Sequence, residues 1–251
     1  MTEFSVLLPA HNEEELLPHS LPSIIKLNPT EILLMLDRCT DDTAKVGKAI
    51  AKKYGFHNLR LIAVNQETPD WKTRLAYLRY FGSTLANCDH VLFTSCDLVL
   101  DFEKIKTHLD SLVGSVQFIS FWHNDYPFTW ATRLKRLFIS TGLPGLGRNK
   151  FLGGTHYFNR KVAFKLEKLE TLKKIESAED THLLMAISSK FDTKCIVTDT
   201  IHLRPRGSER NYLMGRLCWS VNKRGFLVVI IKAVCLLQLG QIRGYIHERF
   251  G

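Results

Sequence analysis

The sequence lacks the features that mark several large protein classes. Its six cysteines (Cys39, Cys88, Cys96, Cys195, Cys218 and Cys235) show no C-x-x-C spacing. That excludes a zinc ribbon and a disulfide framework and fits a reduced, cytoplasmic setting. The opening residues, MTEFSVLLPAHNEEE, have no basic n-region and only a short apolar run, so they do not read as a signal peptide. Long apolar runs are absent too. The stretch 226–239, FLVVIIKAVCLLQL, is interrupted by Lys232 and Gln238. As a helix it would be about 21 Å long, short of the roughly 30 Å hydrocarbon core. There is no internal repeat, no low-complexity segment and no nucleic-acid recognition motif.

What is present fits one large α/β domain with a C-terminal extension. The 251 residues are 45% hydrophobic and carry a formal charge of +9. The charge is uneven: residues 201–251 hold nine Lys and Arg against Glu209 and Glu248. Such asymmetry points to an anionic partner: nucleic acid, lipid head groups or a phosphorylated substrate. Apolar runs at 4–8, 31–36, 59–64 and from Val91 read as strands. They alternate with helical patterns that open at Ala10–Glu15, with Asn12 as N-cap, and at 44–54 and 73–86. That order predicts a mostly parallel sheet with helices on both faces. Pro9 cannot donate to a ladder and so ends the first strand. Later strands are expected at 116–122 and 196–203.

Several of these strands end in acids. The first runs into Pro9-Ala10-His11-Asn12-Glu13, the second into Asp37-Arg38-Cys39-Thr40-Asp41-Asp42-Thr43, and the strand at Val91 into Thr94-Ser95-Cys96-Asp97, with Asp101 beyond. A carboxylate at the end of a buried strand is costly unless it is paired or binds a cation. In open α/β sheets ligands collect at those ends. An Asp there is also an ordinary helix cap.

In order and spacing these stretches resemble family 2 glycosyltransferases of the GT-A fold, with their strand ending in P-x-x-N-E, D-D-G-S-x-D-x-T turn, R-N-x-G helix and D-x-D. Pro9, Asn12, Glu13, Asp37, Thr40, Asp41, Thr43, Arg79, Gly82 and Asp97 carry the resemblance. Gly153-Gly154 before a strand, and Glu179-Asp180 at the start of a helix, resemble the acceptor-side motifs. The resemblance implies transfer of a sugar from a nucleoside-diphosphate donor by an inverting, metal-dependent reaction. It assigns Pro9, His11, Glu13, Asp37, Arg79, Gly153 and Gly154 to the donor, Asp97 with Ser95 to Mg²⁺ or Mn²⁺, Asp180 to the general base, and Glu179 to its support. The chemistry of the loop after 196–203 adds Arg204 and Arg206, whose forks match pyrophosphate oxygens, and His202, which can ligate the metal; a solvated basic loop is the other reading. Two departures stand out: Ser95 occupies the place of the first Asp of D-x-D, and Arg38 that of a glycine. A sugar-1-phosphate nucleotidyltransferase needs a Gly-rich basic loop where His11-Asn12-Glu13 stands. A catalytically inactive nucleotide-sugar-binding protein is the alternative that Ser95 raises.

The expected division is a GT-A domain over 1–210, with a donor half 1–101 and an acceptor half 102–210, followed by an extension over 211–251. In the acceptor half, Trp130, Leu134, Leu137 and Phe138 share a helical face away from Arg133, Lys135 and Arg136. That is a pattern of membrane-surface helices and equally of helices packed on a core. Gly142, Gly145 and Gly147 follow as a loop suited to a lid. The run at 226–239, flanked by Lys223, Arg224 and Arg243, is expected to pack on the domain, form a dimer contact or lie in an anionic interface. The expected setting is therefore the cytoplasm or the inner face of the cell membrane, held peripherally, with a polyprenyl phosphate or glycolipid as acceptor and no nucleic acid as partner.

Overall fold

The computed structural model describes residues 3–112, 116–125, 154–166, 169–175 and 179–204. The chain divides into two compact units, one of Met1–His123 with Leu152–Ile201 and the other of Asn124–Phe151 with His202–Gly251. Everything below belongs to the first unit, apart from the last residues of two strands and Arg204. The segment 130–147, Gly153, Arg206, the run 226–239 and the expected boundary at 210 lie outside the described residues.

The chain alternates strand and helix through β1 (Ser5–Ala10), α1 (Leu17–Ile25), β2 (Glu31–Leu36), α2 (Thr43–Lys53), β3 (Leu59–Ala63), α3 (Arg74–Leu85) and β4 (His90–Phe93). After these come β5 (Leu98–Val99), α4 (Phe102–Leu112), β6 (Phe118–Asp125), β7 (Thr155–Asn159), α5 (Arg160–Leu166), α6 (Leu169–Lys174), α7 (Glu179–Ser188) and β8 (Thr193–His202). The sheet order is β3-β2-β1-β4-β7-β6-β8-β5. Strands β1 to β4 pair in parallel, and β7 runs antiparallel to both β4 and β6. The order therefore reverses between β1 and β4, the switch point at which open α/β sheets hold ligands.

Alternation along the buried strands feeds two apolar layers. Val6, Leu8, Ile32, Leu34 and Leu92 pack with Leu17, Leu21 and Ile24 of α1 and with Ile105 of α4. Leu7, Leu33, Met35, Val91 and Phe93 pack with Leu78 of α3 and with Leu183 and Ile187 of α7. Both faces of the sheet are covered, as the near-continuous apolar strands require. On the second layer a Cβ at position 82 would meet Met35 Sδ at 2.6 Å. Met35 is fully buried, so it has little room to give. Overpacking costs roughly 1–3 kcal/mol and outweighs the roughly 1 kcal/mol that Ala gains over Gly in a helix. Gly82→Ala should therefore lower stability by about 1 kcal/mol, seen as a lower urea midpoint at unchanged slope.

Two local expectations are corrected. Pro9 does not end β1, which continues to Ala10 with Pro9 opposite Met35 of β2. Along β1, Leu7 faces β4, since its carbonyl accepts from Thr94 N. Pro9, two residues on, faces the same way. The β1–β4 ladder ends at the Leu7–Phe93 pair, so the missing N–H falls where no ladder partner remains. The first helix starts at Leu17, not at Ala10–Glu15. Its first turn has a proline and no acid, which suits Pro18, whose fixed φ and absent N–H fit there. Asn12 has φ 54° and is not an N-cap; its Oδ1 accepts from Thr40 N at 2.8 Å instead.

Candidate active site

Three strand ends supply the acids. Past β1 and β2 the chain is stitched together by short bonds: Asp37 N donates to Ala10 O at 2.8 Å, and His11 Nδ1 donates to Asp37 O at 2.7 Å. A carbonyl only accepts, so His11 carries its proton on Nδ1. Glu13 is buried, and its N–H donates to Thr43 Oγ1 at 2.8 Å. Asp41 accepts from Thr43 N and from Glu14 N, both at 3.1 Å. The polar turn after β2 therefore caps α2 and clamps the loop after β1. Cys39 and Cys96 donate their thiols to Ala10 O and Pro9 O at 3.3 and 3.4 Å, closing the end of β1 from the turns after β2 and β4.

Asp37 is a tightly held acid. Its side chain is 8% exposed, and Oδ1 accepts from Arg74 Nη2 at 2.6 Å, Arg74 Nε at 3.0 Å and Arg38 Nε at 3.1 Å. Burial pushes this carboxyl up, but the two guanidinium groups outweigh burial and hold it below its ordinary value. Arg74 also donates to Val64 O, Gln66 O and Thr68 Oγ1 at 2.9, 2.9 and 3.2 Å. It straps the segment between β3 and α3 onto the end of β2. The sequence motifs pointed to Arg79 on this helix and passed over Arg74. Arg79 is buried, with its guanidinium 4.1 Å from the centre of the Phe93 ring.

Beyond β4, Ser95 Oγ donates to Asp97 Oδ1. Ser95 thus orients the one carboxylate of this turn. Asp101 serves as a cap: Oδ1 accepts from Lys104 N at 3.3 Å, at the start of α4, and Oδ2 from Asp199 N of β8 at 2.9 Å. No three His, Cys, Asp or Glu side chains cluster as a metal site among the described residues. A Mg²⁺ that draws most of its ligands from phosphate oxygens and water needs only one or two carboxylates. Asp97 with the Ser95 hydroxyl fits that sparse kind of site, and no protein-built cage is present among the described residues.

The start of β7 lies opposite the end of β4, with His156 paired to Phe93. Gly154 N donates to His123 Nδ1 at 3.0 Å, so His123 carries its proton on Nε2. A Cβ on Gly154 would meet Leu98 Cδ1 at 2.7 Å and His123 Nδ1 at 3.2 Å, so close packing favours a glycine there. His156 Nε2 stands 3.4 Å from Asp180 Oδ2 at the start of α7; the imidazole is 2% exposed and the carboxylate 26%. The more exposed member of this pair is therefore the acid. Glu179 opens α7. In the second unit His202 closes β8 and is buried, and Arg204 is exposed. His156 and His123 carried no sequence signal, because a histidine in an apolar strand looks like any core histidine.

Acids past β2 and β4 beside the switch point, with a further acid opening a helix near the end of β4, lie at one end of an α/β sheet of the GT-A type. The model of glycosyl transferase family 2 matches residues 5–168, and the chain belongs to that family; it is a glycosyltransferase. No curated protein sequence matches it. Among solved structures, TarS 1–349 from S. aureus in complex with UDP is similar at TM-score 0.59 and 16% identity, covering 99% of this chain and 73% of that one. Glucosyl-3-phosphoglycerate synthase from Mycobacterium tuberculosis, in complex with Mn²⁺, UDP and phosphoglyceric acid, is similar at TM-score 0.56 and 17% identity, over 83% of this chain and 72% of that one. At these identities the likeness is one of fold.

Proposed function

We propose that the protein moves a sugar from a nucleoside-diphosphate donor to an acceptor with inversion at C1. Asp180 is the general base in this reading. What supports it above all is the pairing of a buried imidazole with a carboxylate that is 26% exposed, at the end of the sheet where β4 also delivers Asp97. Asp180 takes the proton of an acceptor hydroxyl as its oxygen attacks C1. The C1–O bond to the diphosphate breaks, and its electron pair leaves on the nucleoside diphosphate. Asp37, His11 and the turn after β2 bind the nucleoside. Asp97 and Ser95 would hold a Mg²⁺ or Mn²⁺, which when bound offsets charge on the leaving diphosphate. The relatives of this fold were crystallised with UDP and with Mn²⁺ or Mg²⁺, so UDP-sugars with Mn²⁺ are the first probes.

The basic residues of 201–251 and the apolar run at 226–239 favour a polyprenyl phosphate or glycolipid acceptor, reached from the inner face of the membrane. No helix among the described residues is long and apolar enough to cross a bilayer. A phosphate acceptor is already ionised, and Asp180 then orients it. The experiment is release of UDP from UDP-sugars with and without Mn²⁺, on wild type and on Asp97→Asn. Turnover that rises with Mn²⁺ in the wild type and loses that response in Asp97→Asn is expected. Tight UDP binding without any turnover indicates an inactive nucleotide-sugar-binding protein. Formation of a nucleotide sugar from a sugar 1-phosphate indicates a nucleotidyltransferase.

A further inference from the structure

We infer that His156 is a positioning residue for Asp180: its Nε2–H holds one carboxylate oxygen inward so that the other meets the acceptor. The inference rests on the reading of Asp180 as the base. His156 stands in β7 between Phe93 of β4 and Ser120 of β6, and the Phe118 ring lies 5.6 Å from its own. The charged groups that face it are Asp180 on α7 and Arg79 on α3. Burial pushes the imidazole's pKa down, Asp180 pulls it up, the Arg79 cation pushes it down again, and the net direction is down. The ring is therefore neutral at neutral pH and has one N–H. An ionised carboxylate only accepts, so that proton sits on Nε2.

The cost of this arrangement indicates its purpose. Nδ1 of His156 is buried and has no hydrogen-bond partner among the described residues. A buried acceptor without a partner carries an uncompensated desolvation penalty. A leucine would fill this apolar layer without that penalty, so packing alone does not explain an imidazole here. The contact with Asp180 does. The 3.4 Å separation is long for a hydrogen bond, and catalytic bonds of this kind tighten when substrate is bound. His156 cannot be the base itself, because it is sealed behind the carboxylate. During transfer the Nε2 proton stays on the ring while Asp180 receives the acceptor proton on its outer oxygen.

The test uses the full chain, UDP-glucose with Mn²⁺ and water as acceptor, and ¹⁵N NMR of the histidine side chains. His156→Leu should lower kcat roughly tenfold, the worth of one hydrogen bond to a charged group, with KM for the donor unchanged. The acid limb of its kcat–pH profile should move to higher pH, because the ionised acid has lost a donor. His156→Gln, whose Nε2–H sits close to that of the imidazole, should restore most of the rate. The NMR readout does not depend on turnover: His156 should be the Nε2–H tautomer, and its shifts should move in Asp180→Asn. Nδ1 protonation, or a Leu variant with the wild-type rate and profile, overturns the inference. So does a Gln variant as damaged as Leu at equal Tm. Wild-type kcat in Asp180→Asn instead defeats the base assignment itself, and the positioning role falls with it.

Discussion

Asp180→Asn should lower kcat by roughly 10²–10⁴, the usual worth of general-base assistance, while calorimetry finds the affinity for UDP unchanged. The substitution keeps the shape of the side chain in the first turn of α7, so the fold is preserved. It removes only the capacity to take a proton. Donor affinity should hold because Asp180 is paired with His156 of β7, whereas the nucleoside end is built from the loops after β1 and β2. An acceptor that is already ionised makes the loss of rate smaller and shifts it toward the acceptor KM. Equal losses in rate and UDP affinity defeat the assignment, because Asp180 then belongs to the donor site.

Arg74→Ala should have the largest effect on stability and on donor binding together. It strips Asp37 of two of the three hydrogen bonds on its Oδ1 and releases Val64 O, Gln66 O and Thr68 Oγ1. Removing one partner of a largely buried ion pair costs about 3 kcal/mol, since the remaining charge is left desolvated. Arg74→Lys should recover only part of this, because an ammonium cannot span the same fork of acceptors. UDP affinity should fall as the strap between β3 and α3 loosens and the turn at Asp37 loses its anchor. Urea unfolding and calorimetry on the same variants check both halves. Wild-type UDP affinity in a folded Arg74→Ala protein removes this residue from the site.

The same pair sets a pH signature. The folded-state pKa of Asp37 lies below its ordinary 3.8. Its contribution to stability is therefore complete at neutral pH and is lost as pH falls through the lowered folded-state pKa. Asp37→Asn should be less stable than wild type at pH 7, and the gap should close at the acid end of a pH series of urea midpoints.

Most of the scaffold was legible in the chain itself. Apolar runs of four to six residues, broken by acids and alternating with helical periods, specify the strands and helices up to β4 because burial on both faces leaves few other patterns. The turn at Asp41–Thr43 was equally legible, since an Asp two residues before an N–H caps it locally. Gly82 was legible as part of a motif, and the structure supplies its reason in the bulk of Met35. The start of α1 was misread because acids after Asn12 imitate a helix N-terminus, while Pro18 marks the true start. Pro9 was misread because a strand's tolerance for proline depends on which neighbour its missing N–H faces. That is a property of the sheet order and not of the strand.

Sequence by itself determined the order of elements up to β4 and the acids at the ends of β2 and β4, because both follow from local periodicity and from the cost of burying charge. Only the tertiary structure decided which partner each acid has. Asp37 and Arg74, 37 positions apart, meet because α3 packs on the layer that holds Met35. Asp101 becomes a cap because β8 passes beside the start of α4. Asp180 meets His156 because β7 inserts next to β4 and α7 covers the same face. Such pairings depend on strands and helices far apart in the chain being brought side by side, and no local pattern of residues records that.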